Sequence, residues 1–112
     1  MASKKPETVF KIRVQEFLDK ICYFHEKTQQ ATIRGTPDIL MSVCGIFVAI
    51  ELKRSMYDKA DSLQEYKLQR IRKAGGLSYT VYPENFESFK GQLYKDLATY
   101  KYVPPQSDFS NF

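Results

Sequence analysis

Two apolar runs meet at the dipeptide Cys44-Gly45, and no other feature constrains the fold of this chain as strongly. With Cys44-Gly45 as a two-residue turn, strands from Asp38 to Val43 and from Ile46 to Lys53 pair as a symmetric hairpin, Val43 opposite Ile46 and Met41 opposite Val48. The same register sets Asp38 opposite Glu51. Directly opposed side chains lie about 4.5–5.5 Å apart at Cβ, where like charges destabilise a sheet, so this pair calls for a cation. Lys53, two residues beyond Glu51, shares its face of the strand. The run Ile46-Phe47-Val48-Ala49-Ile50 is the most apolar in the chain and reads as a strand buried on both faces. A carboxylate at the end of such a strand is costly unless it is paired or coordinated.

Two carboxylates and a backbone carbonyl, that of Leu52, make a hard, anionic oxygen site suited to Mg²⁺ or Mn²⁺. Zinc does not fit, because Cys22, His25 and Cys44 follow no zinc-binding spacing. Held by few protein ligands, Mg²⁺ keeps waters, and a bound water of lowered pKa can attack a phosphodiester while the ion neutralises developing charge. Lys53 would orient that water or stabilise the transition state by its charge. Taken singly, an Asp after Gly35-Thr36-Pro37 is ordinary turn chemistry and Glu-x-Lys is an ordinary solvated stripe. Their convergence on one hairpin is what favours a site.

Around this hairpin the periodicity predicts a helix from Pro6 to Cys22, with Phe10, Val14, Phe17, Leu18 and Ile21 on one face. Alternation from Tyr23 to Thr32 fits a strand, and its His25 reads as a hydrogen-bonded structural residue. Ser55 to Asp61 is a polar loop. Ser62-Leu63-Gln64-Glu65 has the form of a capping box opening a helix to about Ala74, closed by Gly75-Gly76. A strand from Leu77 to Tyr82 follows, and after Pro83 a last helix shows Phe86, Phe89, Leu93 and Leu97 on one face. The order is α/β, and the crossover helix between the third and fourth strands makes that pair parallel. Residues 1–99 form one domain and 100–112 an extended tail.

At 112 residues with 43% hydrophobic content, the chain has room for one core. No apolar stretch is long enough to span a membrane, the N-terminus lacks an apolar signal core, and two widely separated cysteines read as free thiols, so the expected location is intracellular. Gly75-Gly76 lacks a following Lys-Ser/Thr, which argues against nucleoside triphosphate hydrolysis and a nucleotide cofactor. A net charge of +4 favours a polyanionic partner. Around the acidic pair, Arg34, Thr36, Arg54, Lys67 and Arg70 are the candidate nucleic-acid contacts; Lys67, Arg70 and Lys73 share an outer helix face that either tracks a phosphate backbone or is simply solvated.

Gly35-Thr36-Pro37-Asp38, an intervening glycine and Ile50-Glu51-Leu52-Lys53 together resemble the PD-(D/E)XK nuclease superfamily, and more closely its VRR-NUC branch, the virus-type replication-repair nucleases. The resemblance runs over about residues 6 to 97. It implies a restriction-endonuclease-like αβββαβ core, a mixed sheet flanked by helices, here with a C-terminal helix and tail. It also implies a metal-dependent endonuclease acting on DNA, with Asp38, Glu51 and Lys53 at its centre and Gln64 on the following helix. Glu7 matches the family's acidic residue on the first helix, with Glu16 as competitor; as a residue on its own, Glu7 is either a site ligand or a favourable charge at a helix N-terminus. For Gln64, phosphate positioning and simple capping both stand. Homodimerisation, branched or junction DNA as substrate, and a phage origin in a bacterial host are further implications. The competing expectation is a non-catalytic nucleic-acid-binding or replication accessory protein on the same fold.

Overall fold

The computed structural model describes residues 5–21, 24–28, 35–43, 45–58 and 61–100. Helix α1 spans Pro6–Ile21, and strands β1, β2 and β3 span Phe24–Lys27, Ile39–Val43 and Ile46–Leu52. Helix α2, Ser62–Lys73, leads to β4, Leu77–Val81, and a short 3₁₀ turn at Pro83–Asn85 opens α3, Phe86–Thr99. The strands form a four-stranded sheet in the order β1-β2-β3-β4. Both β1–β2 and β2–β3 are antiparallel, and β3–β4 is parallel, as a helical crossover requires. Among the described residues no helix is long and apolar enough to cross a membrane.

The β2–β3 register is the expected one: Val43 pairs with Ile46, Met41 with Val48 and Ile39 with Ile50. Gly45 adopts φ +87°, the left-handed conformation that a tight hairpin turn needs; Cys44 lies outside the described residues. Strand alternation then divides the protein into layers. Ile39, Met41, Val43, Val48, Ile50, Leu77, Tyr79 and Val81 share one core with Phe10, Val14, Phe17 and Leu18 of α1 and Phe86, Phe89 and Leu93 of α3. Phe17 meets Phe86 and Phe89 edge to face, at ring-centroid separations of 6.1 Å.

The other face belongs to α2, where Leu68 is buried and Ser78 Oγ donates to the Leu68 carbonyl at 2.8 Å. Coverage there is partial. Val48, Ala49 and Ile50 are buried, but Phe47 is 45% exposed, which corrects the expectation of a strand covered on both sides throughout. Helix α2 packs chiefly over β4 and leaves the N-terminal end of β3 open. The cap of α2 also differs from expectation. Asp61, not Ser62, is the N-cap, its Oδ1 accepting from the Leu63 N–H at 2.9 Å, because a carboxylate one residue earlier takes the role. At the far end Gly75 and Gly76 donate to the carbonyls of Arg72 and Ile71, closing a Schellman turn with Gly75 at φ +97°.

Among the described residues strand β4 forms a sheet edge. The Val81 carbonyl accepts from Lys53 N at 2.9 Å, so the alternate carbonyls of Ser78 and Thr80 face outward. Arg72 donates to the Ser78 carbonyl, and Asn85 Nδ2 donates to that of Thr80 at 3.0 Å. Strand β1, Phe24–Lys27, falls within the expected Tyr23 to Thr32; Tyr23, residues 29–34, including Arg34, and those beyond Tyr100 lie outside the described residues.

Gly35 has φ +81°, and a Cβ there would lie 2.8 Å from Leu63 Cγ, so this glycine lets the loop before β2 press against the start of α2. Gly75 is equally left-handed, yet a Cβ there would meet nothing within 4 Å. Gly75→Ala is therefore expected to cost about 1 kcal/mol, from backbone conformation alone. Gly35→Ala should cost about 2–3 kcal/mol, since crowding of Leu63 adds to the same penalty. Urea denaturation measures both, and equal losses would show that the Leu63 contact carries no weight.

Candidate active site

Extending the hairpin by one pair beyond Ile39 and Ile50 brings Asp38 across from Glu51. Asp38 is fixed from both sides. Its carbonyl accepts from Thr28 N at 2.8 Å, continuing the β1 pairing, while its Oδ2 accepts from Leu52 N at 2.8 Å. Thr28 Oγ1 donates to the Pro37 carbonyl at 2.6 Å, tying down the residue before it. No sequence signal marks Thr28, which falls in the middle of the expected Tyr23 to Thr32 strand.

Glu51 points to the α2 side of β3 and is 2% exposed. Burial pushes its pKa from an ordinary 4.5 up to about 9, helped by the hydrogen bond with the Asp38 side chain and by that residue's charge. The charge of Lys53 and a hydrogen bond from the Asp38 backbone act in the opposite direction. Burial and the neighbouring carboxylate thus favour the protonated form of Glu51. Its Oε2 has no hydrogen-bond partner among the described residues, an unsatisfied buried acceptor of the kind that a coordinated ion or water explains.

Lys53 lies on the same side, just past the end of β3. Its Nζ donates to Gln64 Oε1 at 2.8 Å. Gln64 sits in the first turn of α2, which the Asp61 cap and the Gly35–Leu63 packing hold beside the Asp38 loop. Two strands and a helix N-terminus thus converge on Asp38, Glu51, Lys53 and Gln64. Leu52 contributes its N–H to Asp38, and its carbonyl belongs to the same stretch of β3.

Glu7 is half-buried in the first turn of α1, the helix packed on the opposite face of the sheet from the Glu51 side chain. Among the described residues no three His, Cys, Asp or Glu side chains gather as a metal-binding group, so Glu7 is not brought into one with Asp38 and Glu51. Glu16 is exposed. Arg54 pairs with Asp58 at 3.7 Å on the surface, where such pairs contribute little to stability. Thr36, Lys67 and Arg70 line a groove on the α2 face.

The donor set fits a hard divalent cation: two carboxylates, one with an unpartnered buried oxygen, and a neighbouring backbone carbonyl. Asp38, Glu51 and the Leu52 carbonyl would hold it, and Glu51 would give up its proton as it bound. Comparison with known protein families, with curated proteins and with solved structures finds no match.

Because the folded state raises the Glu51 pKa, it holds a proton that the unfolded chain releases above about 4.5. Stability from this group is complete below that pH and is lost as pH rises toward 9. Wild type should therefore lose stability relative to Glu51→Gln between pH 5 and 9, by at most about 1.4 kcal/mol per pH unit. Chemical denaturation of both proteins across this range measures the difference, and parallel curves would show Glu51 to titrate normally.

Proposed function

We propose that this protein is a Mg²⁺- or Mn²⁺-dependent endonuclease that hydrolyses phosphodiester bonds in DNA, built on the restriction-endonuclease-like plan of the PD-(D/E)XK superfamily and its VRR-NUC branch. One observation carries the reading: an acidic pair with an unpartnered buried oxygen lies beside a lysine that is held in place by a glutamine from the crossover helix. The divalent ion would supply a water of lowered pKa and neutralise charge on the phosphate. Asp38 and Glu51 anchor it. Lys53, tethered to Gln64, offers a fixed positive charge to the pentacoordinate phosphate, and a preorganised charge needs no rearrangement during reaction.

The substrate in this reading is branched DNA, cut by a homodimer with one site for each strand. A second reading rests on the Asp38–Glu51 hydrogen bond, which would make the pair a closed carboxyl dimer on a protein that binds nucleic acid without cutting it. Divalent ions separate the two, since an ion that binds only the folded state raises its melting temperature and a closed pair takes none.

Purified protein with Mg²⁺ or Mn²⁺ should cut labelled four-way junctions or flaps, with activity abolished by chelator and by Asp38→Ala. Undiminished cutting by Asp38→Ala would remove the acidic pair from the chemistry. Lys53→Ala is expected to keep the ion-induced rise in melting temperature while turnover falls roughly 10²–10³-fold; unchanged turnover would leave Lys53 a purely structural charge.

A further inference from the structure

Beside the acidic pair, on the face that α2 leaves open, lies a groove of about 400 Å³. Pro37, Leu40, Phe47, Tyr66, Arg70 and Ile71 are among the residues that line it. Phe47 is 45% and Tyr66 54% exposed, an unusual outlay of aromatic surface to water next to a polar site. The Arg70 guanidinium stands 5.8 Å from the Tyr66 ring centroid, and its Nη1 donates to the Tyr66 hydroxyl at 3.4 Å.

We infer that this groove receives an unpaired nucleobase next to the scissile phosphate, so that the enzyme requires a single-stranded nucleotide at its cutting position. The inference rests on the nuclease reading of the acidic pair and specifies its substrate. Position favours it. Leu40 follows Asp38 by two residues on the same face of β2, a step of about 7 Å. Tyr66 and Lys67 lie within one turn of Gln64, about 5 Å along the helix. The groove is thus roughly one nucleotide away from the phosphate that Asp38, Glu51 and Lys53 would hold.

Chemistry favours it equally. Apolar walls with exposed aromatic rings bind any base by its π-face, without reading hydrogen-bond edges. Arg70 and Lys67, at the groove, offer positive charge to the phosphates of the same strand. A base stacked within a duplex cannot enter without being unpaired first, so intact duplex is excluded and branch points, flaps and single strands are admitted.

The test is binding, measured without cleavage in chelator, of labelled oligothymidylate against an equally long strand of abasic residues. Wild type should prefer the thymidine strand by roughly tenfold. Tyr66→Ala and Phe47→Leu should erase that preference, with circular dichroism confirming the fold, while Arg70→Ala weakens both strands alike. Equal affinity of wild type for the two strands, failure to bind either, or a preference that survives in Tyr66→Ala would overturn the inference; a groove made for another molecule gives the first of these. Cleavage with metal is scored separately. Cutting without base preference sinks the groove alone, whereas base preference without cutting sinks the nuclease reading and leaves the groove a nucleobase site with no scissile phosphate beside it.

Discussion

The two-residue connection between β2 and β3 fixes which side chains meet across the sheet, and the candidate site depends on it. A slip of one residue would send Glu51 to the face packed by α1 and α3 and bring Ile50 out in its place. The hairpin holds its register because Ile39, Met41, Val43, Val48 and Ile50 must all face that core together. Packing on one face thus sets polar geometry on the other.

Glu51 embodies a conflict between stability and chemistry. Buried and hydrogen-bonded to Asp38, it favours the protonated state, whereas a cation ligand must be ionised. The folded protein therefore accommodates the acidic pair by retaining a proton. Lys53 offsets only part of this, its charge being outweighed by burial and by Asp38. Lys53 is held in place by Gln64, and Glu51 keeps one oxygen unsatisfied among the described residues.

Much of this was legible in the sequence because local rules agreed with the tertiary ones. The hairpin register followed from turn length, the parallel β3–β4 pair from the crossover helix, and the convergence of Asp38, Glu51 and Lys53 from strand alternation. Gln64 reached the expected neighbourhood as well, by contact with Lys53. Glu7 was harder to place. Helical periodicity located it on the face of Phe10 and Val14, but the layer that α1 occupies is decided by packing between α1, α3 and the sheet, which no local pattern encodes. The exposure of Phe47 escaped for a similar reason: an apolar run reveals a preference for burial, whereas its cover depends on how far α2 reaches across the sheet. Asp61 replaced Ser62 as the cap because two adjacent residues competed for one role and the carboxylate took it.

The outward carbonyls of β4 have a bearing on assembly. An uncapped edge strand recruits other strands, including those of a second copy, and can propagate a sheet without limit. Here the Arg72 guanidinium and the Asn85 amide occupy the acceptors of Ser78 and Thr80 that an incoming strand would use. Two side chains from neighbouring elements thus act as a guard rail along the sheet. A strand from another chain would have to displace both to dock along this edge.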